Sequence, residues 1–240
     1  MISLDDAIKL AENAPINISI GIQKEHTLHK VIKYMIDPSG INHEVKIAGK
    51  VADIYMNNII YEVQTKAFNN LRDKLDVFLD KYEVVICYPL VCTKTINRIN
   101  SEGEVVSVRK SPKKGKEIDS LVELYKIKKF LKDKNLKIWI MLIDVSEYQQ
   151  VVNRSYKNHH GRVRIDQIPT KLVEIVELNS EEDYKKLLPE LPEYFTSYEL
   201  CKALKVSKRN ISYIIQVLKF VNVIEVIKKD GKKHIYHLVK

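Results

Sequence analysis

An α/β fold followed by a small C-terminal domain is what the sequence predicts, and three patterns predict it. Three short runs rich in β-branched and aromatic residues succeed one another over residues 43–65, separated by turn signals. Helical periodicities and further apolar strand patterns flank them on both sides. From Tyr194 the pattern changes to two short helices and a lysine-flanked hairpin. A chain of 240 residues, 45% hydrophobic and 30% charged, has room for one large or two modest globular domains.

Taken in order, MISLDDAIKLAEN forms a short amphipathic helix, capped by Ser3, with Leu4, Ala7, Ile8 and Ala11 on one face. A second helix follows Gly21, with Leu28, Val31, Ile32 and Met35 as its apolar stripe and Glu25 and His29 sharing another face; Pro38 ends it. The strands cover residues 43–48, 51–56 and 59–65, broken by Gly49-Lys50 and Asn57-Asn58, which suit tight hairpin turns. A helix over AFNNLRDKLDVFLDKY leads to the strand EVVICYPLV. Residues 94–109 read as a hairpin around Ser101-Glu102-Gly103-Glu104, and RKSPKKGKE as a flexible basic loop. Residues 121–131 read as a helix and 137–145 as a fully buried strand containing Trp139. Residues 146–170 are polar, with Arg154, Lys157, His159, His160, Arg162 and Arg164, and are expected to cover a bound polyanion. Neighbouring strand side chains point to opposite faces, so His159 and His160 do not make a zinc site. NSEEDYKKLLPELPE is an acidic helix and a proline-punctuated linker.

Asp53, Glu62 and Gln64 interrupt this apolar patterning. A carboxylate inside such strands is costly to desolvate unless it has a partner. Alternate strand residues share a face, so Glu62 and Gln64 point one way, as do Glu44 and Lys46. If both hairpins form, Asp53 and Glu62 come from adjacent strands. A divalent cation that takes oxygen ligands, Mg²⁺ above all, is a common means of keeping two converging carboxylates ionised. The competing reading places both acids in water on an open sheet face.

In this order QKEHTLHKVIKYMID, the three strands, AFNNLRDKLDVFLDKY and EVVICYPLV resemble the αβββαβ core of the PD-(D/E)XK, or restriction-endonuclease-like, nuclease superfamily over roughly residues 20–92. The resemblance implies a mixed sheet, with Asp53 as the motif's Asp, Glu62 as its Glu and Gln64 where Lys is usual. It further implies that Asp53, Glu62 and the Val63 carbonyl bind Mg²⁺ or Mn²⁺, and that Gln64 orients the water that hydrolyses a phosphodiester. Glu44 and Glu25 are secondary candidates for a second ion or for proton transfer. Lysine would offset charge developing on the phosphate, whereas Gln is neutral. Lys66 and Lys46 are the candidates to replace that charge, and Lys66 fits an ordinary surface lysine equally well.

In the C-terminal stretch Thr196 and Glu199 form a capping box opening SYELCKALK, Val206 and Ser207 make a turn, and Ser207 caps KRNISYIIQVLKFV. VIEVIKKDGKKHIYHLVK is a hairpin with Asp230-Gly231 at its tip. The stretch resembles a winged helix-turn-helix. Ile211, Ile214, Ile215 and Leu218 are its buried stripe. Lys208, Arg209, Ser212, Tyr213 and Gln216 are left for a DNA groove, and Lys228, Lys229, Lys232 and Lys233 for the backbone. Arg109, Lys110, Lys113 and Lys114 of the basic loop are further candidate contacts, or a solvated face. The organisation is then a nuclease-like domain over about residues 1–178 (core about 20–92, extension about 94–178), a linker at about 179–193 and the winged helix-turn-helix at about 194–240.

The net charge of +9 points to a polyanionic partner. DNA is favoured over a membrane, because no long apolar span stands out. Cys87, Cys92 and Cys201 form neither a disulfide framework nor a zinc motif, and the N-terminus has acids where a signal peptide would be basic, so a cytoplasmic protein is expected. The reading as a whole is a metal-dependent DNA endonuclease of the restriction or repair type. Its alternatives are a non-catalytic DNA-binding regulator with a degenerate nuclease fold and an RNA-directed nuclease, and a homodimer is left open.

Overall fold

An apolar run such as VVIC is suited to a strand covered on both faces, and it lies in the central strand of a mixed sheet. The computed structural model describes residues 1–13, 27–151, 161–231 and 233–239. Helices α1 (Leu4–Asn13) and α2 (Thr27–Ile36) precede an antiparallel meander of β1 (His43–Ile47), β2 (Lys50–Met56) and β3 (Ile59–Val63). A 3-10 turn over Phe68–Leu71 and α3 (Arg72–Phe78) cross to β4 (Glu83–Ile99), parallel to β3. The strand β5 (Val105–Lys110) returns along the outer half of β4. Helix α4 (Leu121–Leu124), continued by the 3-10 segment Tyr125–Phe130, crosses to β6 (Leu136–Val151), parallel to β4, and β7 (Arg162–Leu178) pairs antiparallel with β6. The sheet order is β1-β2-β3-β4-β6-β7, with β5 beside β4. The α/β class and the mixed sheet are therefore present.

Alternation along β4 and β6 divides the core into two layers. Val85, Cys87, Met141 and Ile143 join Ile54 and Val63 under α1 and α2 on one face. On the other, Val84, Ile86, Ile138 and Ile140 pack with Ala52, Ile60, Phe68, Leu71, Leu75, Phe78, Leu121 and Leu124. The first helix is capped as expected, with the Asp6 N–H donating to Ser3 Oγ. Among the described residues no helix is long and apolar enough to cross a membrane.

Several elements differ from the sequence reading. The first hairpin turns at Ala48-Gly49 (φ 47° and 79°) rather than Gly49-Lys50, since Lys50 already pairs with Ile47. The third strand stops at Val63, and the following helix is split into the 3-10 turn and α3. Residues 94–99 continue β4 without a break, past a register shift between Val91 and Lys94. Much of residues 146–170 is strand rather than a polar cover, forming the ends of β6 and β7, while Arg154, Lys157, His159 and His160 lie outside the described residues. Together β5, β4, β6 and β7 make a four-stranded extension beyond the helical layers.

The chain after β7 is less separate than a linker implies. Ser180 caps α5 (Glu181–Lys186), Tyr184 is buried, and Leu187, Leu188 and Leu191 pack on the main core. Strand β8 (Phe195–Thr196), helices α6 (Ser197–Leu204) and α7 (Ile211–Phe220), and hairpin strands β9 (Ile224–Asp230) and β10 (Lys233–Leu238) follow, with sheet order β8-β10-β9. The Thr196–Glu199 capping box is present. Ile211, Ile214, Val217 and Leu218 share one core with Leu121, Leu124 and Ile127.

The basic loop is tied down as well. Ser111 N–H donates to Lys94 O at 2.8 Å and Gly115 N–H to Cys92 O at 3.0 Å, which lays the loop along β4. A Cβ at Gly115 would stand 2.3 Å from Val91 O and 2.8 Å from Leu90 Cδ2. Gly115→Ala is therefore expected to destabilise the fold by about 1–3 kcal/mol through overpacking. Denaturant unfolding of the purified variant measures this, and an unchanged midpoint would show that the contact relaxes freely.

Candidate functional site

The turn at Asn57-Asn58, with φ of 53° and 64°, matches the two-residue hairpin type whose central residues both need positive φ. It sets the register Met56↔Ile59, Tyr55↔Ile60 and Ile54↔Tyr61. One step further along, Asp53 and Glu62 stand opposite each other. There the Asp53 carboxylate takes the Val63 N–H, at 2.8 Å to Oδ2. The opening admits side chains from both helical layers. His29 of α2 brings Nε2 to 3.3 Å from Asp53 Oδ2, and Lys74 of α3 brings Nζ to 2.7 Å from Glu62 Oε2 and 3.9 Å from Asp53 Oδ1.

Burial and neighbouring charge separate the two acids. Burial pushes the Glu62 carboxyl up, the Asp53 charge adds to this, and Lys74 opposes it, leaving Glu62 at about 8. Burial would also raise Asp53, but the His29 hydrogen bond and charge, the Lys74 charge and the Val63 N–H outweigh it and hold Asp53 below its usual range. The two environments thus drive the acids apart, Glu62 toward its neutral form and Asp53 toward its charged one. Among the described residues Glu62 Oε1 is buried with no hydrogen-bond partner. An orphaned carboxylate oxygen beside a second carboxylate suits a small oxygen-seeking cation. Among the described residues no group of three His, Cys, Asp or Glu side chains is placed to hold a metal, so the fit rests on these two acids.

The other expected site residues fall elsewhere or take other partners. Gln64 lies just past β3; its N–H donates to Cys87 O at 3.0 Å and its side-chain amide donates to the Lys66 carbonyl. Lys66 is exposed beyond that turn, after the strand has ended. Lys46 is exposed on β1. Neither lysine supplies charge to the acids, since Lys74 occupies that role. Glu44 is across from Asp53 in register, but it has φ of 55° and its Oε1 lies 2.5 Å from Nζ of the buried Lys33. Its charge offsets that lysine instead of joining the pair. Glu25 and Lys232 lie outside the described residues.

In the C-terminal unit Lys208, Arg209, Ser212 and Gln216 of the α7 region are exposed, as are Lys228, Lys229 and Lys233 on the hairpin. Tyr213 is a correction: it packs against Tyr125 with ring centroids 5.0 Å apart, so it belongs to the seam with the main core. Lys219 completes the exposed stripe at helical spacing from Ser212 and Gln216. Arg109, Lys110, Lys113 and Lys114 are exposed. Lys74 was missed by sequence reasoning, although the signal was there. It sits with Leu71, Leu75 and Phe78 in an i, i+3, i+4, i+7 stripe, so a lysine occupies a core-facing position. A cleft of about 360 Å³, lined in part by Lys132, Asp133, Glu181 and Asn222, lies at the seam with the C-terminal unit and includes none of the acid-pair residues.

A family model described as "Domain of unknown function (DUF8091)" matches residues 26–179. That span contains His29, Asp53, Glu62, Lys74 and the four-stranded extension, and it stops before the C-terminal unit. An uncharacterized protein of Treponema pallidum (strain Nichols) is 28% identical over 193 residues, covering 77% of this chain and 74% of the relative. No solved structure matches the chain.

The raised Glu62 carboxyl has a stability signature. Between its unfolded value of 4.5 and its folded value of about 8, the native state holds a proton that the unfolded chain has released. Stability contributed by neutral Glu62 is full below the lower value and is lost as pH rises through this window. Glu62→Gln removes the loss, so in EDTA its stability advantage over the parent should widen with pH, by up to about 1.4 kcal/mol per pH unit. Thermal melts from pH 5 to 9 measure the gap; parallel curves would show that Glu62 ionises normally.

Proposed function

We propose that this chain, which belongs to the DUF8091 family, is a metal-dependent DNA endonuclease with a PD-(D/E)XK-like core and a C-terminal winged helix-turn-helix. The observation that carries the reading is the buried Asp53–Glu62 pair, with a lysine reaching both acids and one carboxylate oxygen left unsatisfied. The element order α2, β1, β2, β3, α3, β4 supports it, as does the position of the acids on β2 and β3. Asp53 and Glu62, with the Val63 carbonyl implied by the superfamily resemblance, would hold Mg²⁺ or Mn²⁺, which would supply Lewis-acid polarisation of a phosphodiester and a more acidic water.

The chain's own residues account for the rest. Lys74 brings to the acids the positive charge that Gln64 lacks, and offsets negative charge developing on the phosphate oxygens. Reaching the site from a helix rather than from the third strand, it leaves the Gln64 position free for another task. Gln64 donates its amide to the Lys66 carbonyl and fixes the turn at the end of β3. His29 hydrogen-bonds Asp53 and, with the Val63 N–H, holds that carboxylate oriented and ionised. Arg209, Ser212, Gln216 and Lys219 form an exposed helix stripe suited to a DNA groove, and Lys228, Lys229 and Lys233 line a hairpin suited to the phosphate backbone.

One observation favours a second reading, a DNA-binding regulator without hydrolysis. Lys74 already offsets the charge of the acid pair from within the chain. Incubating the protein with labelled duplex, branched and single-stranded DNA and with RNA, in Mg²⁺, Mn²⁺ or EDTA, separates the two, and the RNA arm tests the RNA-directed alternative. Under the nuclease reading Glu62→Ala abolishes metal-dependent cleavage while DNA affinity persists, because the cations elsewhere supply it. Lys74→Ala lowers the rate by roughly one to three powers of ten, as expected for losing one positioned transition-state donor. If the parent is inert on every substrate with every metal, hydrolysis is excluded and the regulator reading takes its place.

A further inference from the structure

The four-stranded extension carries a basic face that continues from the turn after Glu62. Strand register aligns Arg109, Ile96, Glu147 and Gln167 in one row across β5, β4, β6 and β7, and Ser107, Arg98, Gln149 and Arg164 in the next. Ile96 and Arg98 are two apart on one strand, so the rows share a face on β5, β4 and β6; on β7 a register shift opposite Tyr148 and Gln149 sets Arg164 three residues from Gln167, and the two line one cleft. The acid in the first row is already spent. Glu147 is buried, and its oxygens take Lys94 Nζ at 2.8 Å, Gln149 Nε2 at 2.6 Å and Gln167 Nε2 at 2.9 Å. Asp166, also on β7, is turned to the start of α2, where it accepts the Thr27 N–H at 3.3 Å and the Thr27 hydroxyl. Arg109 and Arg164 are left exposed, with Arg98 half-buried between them in the strand order.

This face meets the acid site's turn at a small cleft of about 70 Å³, lined by Leu28, Thr65, Lys66, Arg164 and Gln167. Lys66 and Thr65 follow Gln64 directly, at the end of the strand that carries Glu62. Leu28 immediately precedes His29 on α2. Two long cations thus border a small recess at the turn that follows the Glu62 strand, and the carboxylates of the adjoining rows are engaged within the fold. That is the chemistry of a phosphate subsite: an anion with several acceptor oxygens, met by an ammonium and a guanidinium.

We propose that Lys66 and Arg164 bind a backbone phosphate of the DNA flanking the one at the Asp53–Glu62 pair, and that Arg98 and Arg109 carry the same strand onward across the extension. The proposal rests on the nuclease reading for its geometry. It gives Lys66 a binding role in place of the charge-replacing role expected from the sequence. Arg164, which the sequence reading placed in a polar cover, becomes part of a defined subsite.

The test is anisotropy titration of a fluorescein-labelled DNA duplex against the full-length protein in EDTA, over a series of salt concentrations. The parent is compared with Lys66→Ala, Arg164→Ala, Arg164→Lys and, as a control with the same loss of charge on α1, Lys9→Ala. Arg164→Ala and Lys66→Ala are each expected to weaken binding about 3–10-fold at low salt and to reduce the salt slope by about one. Arg164→Lys should keep most of the slope, and Lys9→Ala should match the parent. Parent affinity and slope in both alanine variants would overturn the subsite, as would an equal loss in Lys9→Ala or a parent that does not bind DNA. Because binding is read without cleavage, failure of the nuclease reading remains distinguishable. A protein that cuts nothing yet loses affinity in these variants keeps the subsite and loses the hydrolysis, whereas a cutting protein with unaffected variants does the reverse.

Discussion

Backbone pairing along β4 is the constraint on which the rest of the structure depends. One side of this strand is paired with β6 for most of its length, and the other is shared between β3 at its start and β5 at its end. The strand is therefore committed on both edges, and its inner half is covered by helices on both faces. Gln64 N–H donating to Cys87 O marks the last hold of β3 on it. Past that bond the chain turns away, and the place where β3 leaves β4 lies next to the acid pair. A central strand that outlasts its neighbour builds both the site and the extension beside it.

Placing two acids here sets a strongly asymmetric electrostatic environment. Both are desolvated, yet one is held charged and the other neutral, because their partners differ. Asp53 has a histidine, a backbone N–H and a share of the lysine. Glu62 has the lysine, the Asp53 backbone and the opposing field of the Asp53 charge, and among the described residues its Oε1 has no hydrogen-bond partner. The unsatisfied atom is a cost to folding that the surrounding core sustains, and such costs concentrate where a site must be ready for a ligand.

Much of this was legible in residue order, and the failures have physical causes. The Asn57-Asn58 turn and the alternation around it determine which residues of β2 and β3 face each other, so Asp53 and Glu62 could be paired from sequence. The lysine could not be paired in that way, because its route to them runs through a 3-10 turn and the angle of α3, both tertiary outcomes. The outer half of β4 reads as one arm of a hairpin, as it is, whereas the outer halves of β6 and β7 were hard to read because much of their length is polar. Residues 163–168, Val-Arg-Ile-Asp-Gln-Ile, begin with alternation, but the polar and basic residues around Gly161 made the stretch read as a polar cover. The C-terminal elements were read closely because capping boxes and turn residues are local chemistry. Tyr213 was misplaced because an exposed helix face and a face docked on another unit look alike in sequence.

The packing of α7 bears on how this protein loses its structure. Its apolar stripe lies in the same core as Leu121, Leu124 and Ile127, Tyr213 meets Tyr125, and Lys132 Nζ donates to Asn222 Oδ1 at 2.9 Å. Two units that share one hydrophobic core melt as one cooperative body rather than in separate steps. Anything that binds only the folded C-terminal face then also protects the distant acid pair from unfolding, by mass action, without any change in shape.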